Sequence, residues 1–395
     1  MNKFLSFFII LISFAALFCS CDNTPPSSTD SPNTTSVKTY ITYDSSDLIP
    51  VTRDIPNFTF GFSTDGNMLS GSAQPDAIIL SDFRSGLTGL PISEKCLSQR
   101  PIAVMINNER RGLPQSGISL ASVIYECNIE GGVNRLIAIF EDYAALPYIG
   151  TVRSSRPYFI DIAQMHDAIY VHCGGSPGAY ESLKERNIDN IDGVNGGYYE
   201  SQLFYYDQDR LKNKGLEHCR YISGAKIVEG IKKAGFRTAH KEDNYKTTYN
   251  FIDSYTPFDT NYSPQPASYI YLPHHSTSIT EFSYNSETKK YYRSQYGAPT
   301  IDALNGKQVC FENVIVIFTL RHEIDDYGRL FVELTGTGEG YYACEGKYIP
   351  IKWKRDSIDG KMDYLNADGT PLYLNPGKTF VSVASTGIKK NVVIK

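Results

Sequence analysis

The apolar run over residues 4–18 limits what this chain can fold into more than any other stretch, because it takes itself out of the fold. One positive charge, Lys3, precedes it, and the run falls short of the roughly 20 apolar residues that span a bilayer comfortably. It closes on Phe18-Cys19-Ser20-Cys21, and a small residue before a cysteine is what cleavage at an acylated thiol requires. Residues 1–20 therefore read as a lipoprotein signal peptide, with Cys21 as the lipidated N-terminus of the mature chain. Cys19 competes for that role, but Phe18 would then fill the place that wants a small side chain. An ordinary cleaved signal peptide or an uncleaved anchor is the alternative reading of the same stretch.

Residues 21–36 are rich in Ser, Thr, Pro and Asn and hold no apolar side chain able to join a core, so they read as a flexible tether. Two or more acyl chains on Cys21 would make the anchoring stable, which places the body on the extracytoplasmic face of the cell membrane. Of 38 Lys and Arg the leader removes only Lys3, against 43 Asp and Glu, so the mature chain is mildly acidic. That balance argues against nucleic acid as a partner, since phosphate binding needs clustered basic residues. The 29 Tyr and 20 Phe, within 41% hydrophobic residues, describe a well-packed, strand-rich body, and 395 residues suggest two domains. Beyond the leader lie Cys96, Cys127, Cys173, Cys219, Cys310 and Cys344, none in a CxxC or zinc-ligand spacing, so no metal is expected. Disulfides and buried thiols are both open to them.

Residues 37–90 read as an extended lead-in, 91–250 as an N-terminal α/β domain and 268–395 as a mostly-β C-terminal domain, an α+β chain overall. In the first domain the periodicities predict strands at 102–107, 123–129 and 135–141, with a short helix at 116–122. Pro157 opens a helix to about His166, a continuous apolar strand follows at 168–173, and Ser176-Pro177 caps a helix ending near Arg186. That is the βαββαβ order of a ferredoxin-like unit. A polar region over 189–224 leads to a helix at 225–234, and beyond Pro257, Pro264 and Pro266 the chain becomes short strands separated by turns.

The densest polar constellation lies between Asn107 and Ser176. Glu126, Glu130 and Arg135 flank the Gly131-Gly132 turn, Arg153, Ser154 and Arg156 precede a predicted helix N-terminus, Asp161 lies on that helix, and His172 ends a strand before Gly174-Gly175-Ser176. Loops after strand ends in α/β sheets bind ligands, and arginines near a helix N-terminus favour anions. One reading makes Arg153 and Arg156 a clamp for a carboxylate or phosphate, with Arg135, Glu130, Asn107, Ser154 and Ser176 around it. The other pairs the arginines with Glu126, Glu130 or Asp161 to pin loops together. His172 is the best acid-base candidate, and a backbone-bonded histidine is the simpler account of it. Ser176 lies in no GxSxG and reads as an N-cap. His322, Glu323, Asp325 and Asp326 read as a polar hairpin tip rather than a cation site, and His274-His275 as a loop.

Several of these stretches carry a resemblance. Arg100-Pro101-Ile102-Ala103-Val104-Met105-Ile106-Asn107, Pro114-Gln115-Ser116-Gly117, Tyr125-Glu126 with Glu130-Gly131-Gly132, Val152-Arg153-Ser154-Ser155-Arg156-Pro157-Tyr158-Phe159 and His172-Cys173-Gly174-Gly175-Ser176 together resemble the YerB-like lipoproteins. The likeness extends over 90–240 and again over 268–390, where Leu374-Asn375-Pro376-Gly377-Lys378-Thr379 closes it. The family is a domain of unknown function, so the resemblance implies a bacterial cell-envelope lipoprotein and brings no activity or cofactor. With no complete triad, metal site or cofactor motif visible, the residues favour a non-catalytic binding or scaffold protein for an anionic wall component or an envelope partner. The alternative is an extracytoplasmic hydrolase of a wall polymer, using His172 with Glu126 or Asp161.

Overall fold

The computed structural model describes residues 83–241, 245–253, 258 and 262–395. The leader, Cys21, the tether and most of the lead-in lie outside the described residues. In chain order the main elements are β1 (Ile102–Ile106), β2 (Val123–Asn128), β3 (Asn134–Phe140), α1 (Pro157–Met165), β4 (Ile169–His172), α2 (Pro177–Glu185), β5 (Asn190–Asp192) and α3 (Gly224–Ala234). They are followed by β6 (Tyr269–His275), β7 (Ser278–Asn285), β8 (Lys290–Gln295), β9 (Asn313–Thr319), β10 (Gly336–Cys344), β11 (Lys347–Arg355) and β12 (Thr379–Ser385). The class is mixed α+β.

One 11-stranded sheet takes strands from both halves of the sequence, in the order β11-β10-β9-β12-β2-β3-β1-β4-β5, with two short strands added at β11. The halves join where β12 lies parallel to β2, Val123 opposite Thr379 and Cys127 opposite Val383. A second sheet, built on β8-β7-β6, packs across one face of the first. Ala103, Met105, Tyr125, Ile137 and Tyr170 share a core with Phe159, Ile162 and Leu183 of α1 and α2. The alternate residues Val104, Ile124, Ala138 and Val171 point the other way, into a core with Ile227 of α3 and Leu272 and Phe282 of the second sheet. Every residue of β1, β2, β3 and β9 is buried because both faces are covered, which is why these strands read as mostly apolar on both faces. In β11 exposed and buried residues alternate, as expected where only one face is covered.

The helices start where local chemistry dictates. Pro157 occupies the first turn of α1, and the Ser176 hydroxyl accepts from Ala179 N at 3.3 Å to cap α2. The expected helix at 116–122 is instead a single 3-10 turn, Ile118–Leu120, entered through Gly117 at φ 79°. Without a first crossover helix the ferredoxin-like expectation fails: β1 is antiparallel to β3 and parallel to β4, and the sheet runs on into β12. His274, expected in a loop, is a buried residue of β6. All six body cysteines are free thiols, five of them buried. Among the described residues no helix is long and apolar enough to cross a membrane.

Candidate functional site

β1, β4 and β5 are parallel neighbours, so their carboxyl ends open together on one edge of the sheet. Into that fan the chain inserts the segment before α1: Arg153 N donates to Met105 O at 3.0 Å and Cys173 N to Arg153 O at 3.0 Å. The result is a crevice of about 320 Å3 lined by Arg153, Ser154, Gly174, Gly175, Tyr180 and Arg220. Gly174, at φ 79°, makes the turn that closes its floor, a backbone conformation few other residues adopt without strain.

Arg153 is 8% exposed and holds two carboxylates, Glu109 Oε1 and Glu217 Oε2, each at 2.8 Å. The two partners differ. The Glu217 side chain is 69% exposed, that of Glu109 29%. The Arg153 charge holds the Glu217 carboxyl below its ordinary range. Asn107 lies behind the pair, with its side-chain nitrogen 2.8 Å from His218 Nδ1 and its oxygen accepting from Glu109 N at 3.1 Å. Arg220, on the opposite wall, donates to the Tyr206 hydroxyl at 3.2 Å.

Arg135 sits behind Ser154 and donates to its carbonyl at 2.6 Å. Burial and the neighbouring Arg153 and Arg156 cations lower its pKa to about 9. Arg156 grips Glu130 at two points, one of them Nε to Oε2 at 2.9 Å. Of the two readings open for the arginines, the ion-pair one describes Arg156; Arg153 is paired as well, though to Glu109 and Glu217 rather than to Glu126, Glu130 or Asp161.

The acid-base candidates do not converge. His172 is fully buried, with Nδ1 2.9 Å from Gly174 O and Nε2 3.2 Å from Asn190 Oδ1, and it stacks on Tyr170. It braces the glycine turn together with Asp192, whose Oδ1 accepts from Gly174 N at 2.8 Å. Glu126 neighbours Tyr125 and Cys127, which face the helices, so its own side chain points to the opposite face from His172. There it meets Arg293 and Thr280 at 2.8 Å and His274 at 3.2 Å. Burial alone would raise the Glu126 pKa, but the Arg293 charge and the hydrogen bond from His274 bring it down to about 2. Asp161, on α1, is spent on Arg186 at 2.5 Å, and burial raises its pKa.

The crevice thus gathers Arg153 and Ser154 on its wall, with Asn107, His172 and Ser176 as its support and Arg135, Arg156 and Glu130 adjoining. Glu126 and Asp161 lie elsewhere. Arg220, Glu217 and Glu109 were missed because Arg220 opens a three-residue strand, Glu217 lies in a single 3-10 turn and Glu109 precedes another, all too short for a periodicity to mark them. At the hairpin tip Asp325 pairs with Arg329, and among the described residues no three His, Cys, Asp or Glu side chains are grouped to hold a metal.

Known proteins place this architecture. The models "Protein of unknown function (DUF3048) N-terminal domain" and "C-terminal domain" match residues 87–237 and 269–381. The chain belongs to the DUF3048 family. It is 30% identical over 319 residues to a Bacillus subtilis (strain 168) protein named "Putative lipoprotein YerB", covering 80% of this chain and 91% of that one. The crystal structure of YerB from Bacillus subtilis superposes with a TM-score of 0.67 at 28% identity, over 79% of this chain and 99% of that chain. The family description carries no activity, so function rests on the site itself.

Proposed function

We propose that this chain is a lipid-anchored, non-catalytic protein of the cell envelope that captures an anionic group, a carboxylate or phosphate, in the crevice at the ends of β1, β4 and β5. The observation that carries the reading is the unequal pairing of Arg153: a buried guanidinium whose second partner, Glu217, is 69% exposed. A surface ion pair of this kind contributes about 0–1 kcal/mol, so a ligand oxyanion with better geometry can replace Glu217 at little cost. Arg220 on the facing wall and the Gly174-Gly175 backbone leave room for the rest of such a group. The lipoprotein name of the Bacillus relative and the run ending at Cys21 support anchoring through that cysteine at the extracytoplasmic face. The hydrolytic alternative gains no support, because His172 and Glu126 lie on opposite faces of the sheet and Asp161 is bound to Arg186.

Glu217→Gln removes the internal competitor without touching the core. Titration of the full chain in detergent micelles with muropeptides, teichoic-acid fragments and inorganic phosphate should show one class binding several-fold tighter to Glu217→Gln, and at least tenfold weaker to Arg153→Gln. Unchanged affinity in Glu217→Gln would sink the reading.

A further inference from the structure

A larger cavity, of about 770 Å3, opens where the 109–111 turn faces the second sheet. Its chemistry differs from that of the crevice. Two carboxylates line it: Glu109 is paired with Arg153 at 2.8 Å, whereas Glu281 accepts from the Tyr269 hydroxyl, a neutral donor that cancels no charge. Two guanidiniums line it as well, Arg110 and Arg111, both exposed, and among the described residues neither forms an ion pair. Two guanidiniums against the single carboxylate of Glu281 leave the cavity a net positive charge.

Aromatic surface accompanies that charge. Arg110 lies over the Tyr296 ring, 5.0 Å from its centroid, and the Tyr296 hydroxyl donates to Asn108 O at 2.9 Å, which fixes the ring. Tyr271 lines another wall from β6, and Ser276 and Thr277 bring hydroxyls to the rim. A flat ring offers a low-entropy surface to the C–H face of a sugar, hydroxyls meet its hydroxyls, and a guanidinium fork matches an acidic substituent. The volume lies within the range of small-ligand sites.

We infer that this cavity is a second binding site, specific for an acidic saccharide, with Tyr271 as the stacking surface, Tyr296 holding Arg110 in place, and Arg110 and Arg111 reading the acid. It is separate from the crevice, and the Arg153–Glu109 ion pair stands between the two.

Calorimetric titration of the full chain in detergent micelles tests this with two acids and two neutral partners. The acids are the N-acetylglucosaminyl-N-acetylmuramic acid disaccharide and glucose 1-phosphate; the neutral partners are the carboxyl-reduced disaccharide and glucose. At least one acid should bind tenfold or more tighter than its neutral partner, and which one does so tells a carboxylate source from a phosphate source. Arg110→Ala with Arg111→Ala, both on exposed side chains, should erase that preference, and Tyr271→Ala should weaken both forms. Lys232→Ala, an exposed cation of α3 that lines neither the cavity nor the crevice, should leave both affinities unchanged. Equal binding of acid and neutral forms, no binding of any probe, or full preference in the double arginine variant overturns the site. Loss of the preference on Lys232→Ala would also overturn it, by assigning the effect to overall charge rather than to the cavity.

Discussion

A buried carboxylate at the centre of a sheet must either be neutral or be held by fixed charge, and Glu126 is the second case. Its pKa of about 2 lies below the ordinary 4.5, because Arg293 and His274 outweigh the cost of burial. A carboxyl depressed in the folded state contributes stability that is present above the unfolded pKa and lost as pH falls through the folded one. For Glu126 that window runs from about pH 5 down to about pH 2, with on the order of 3 kcal/mol at stake. Glu126→Gln keeps the shape and strands Arg293, so urea unfolding at pH 7 should show a loss of about 3–5 kcal/mol. The gap between wild type and variant should then narrow as pH drops from 5 to 2. A constant gap would mean that Glu126 is already protonated at neutral pH. Glu126 stood out in the sequence as a carboxylate near the Gly131-Gly132 turn, open to an ion pair or to acid-base work, but its partner did not. That partner, Arg293, lies 167 residues along the chain, and no local pattern links the two.

The strands were the most legible elements, because burial on both faces leaves near-continuous apolar runs and burial on one face leaves alternation. The turn at 116–122 was not legible as such: a short helix is expected there, yet Gly117 at φ 79° breaks the entry and leaves one 3-10 turn. Nor could sequence give the partner of each strand. Phe380, on β12, shows what that pairing secures: its ring meets Phe282 of the second sheet at 5.0 Å and Phe311 at 5.2 Å, all three fully buried. These contacts tie the two sheets face to face, so Phe380→Ala should open a cavity between them. Denaturant unfolding should show a loss of about 3–5 kcal/mol. A loss below about 1 kcal/mol would mean that the sheets pack through other contacts.

At the scale of the molecule, the two stretches matched by separate family models are woven into one sheet. β12 lies between β2 and β9, parallel to both, so the edge of β2 that a separate N-terminal half would expose is covered by the C-terminal half. Glu126 repeats the link through charge, being carried on β2 and neutralised by Arg293 of β8, with His274 of β6 beside it. A body joined by a continuous hydrogen-bond ladder and a buried ion pair should unfold as one unit. The chain provides two separate reporters of that. Trp353, its single tryptophan, is 2% exposed on β11, and Cys173 is a free thiol, 4% exposed, at the end of β4. Tryptophan fluorescence should follow the C-terminal half in denaturant, and Cys173 labelling, read by peptide mapping, the N-terminal half. The two midpoints should coincide, and Glu126→Gln should move both together. Midpoints that separate, with Cys173 exposed while Trp353 stays buried, would show that the ladder between β2 and β12 can open on its own. The crevice, built wholly from residues of the N-terminal half, would then lose its shape independently of the second sheet.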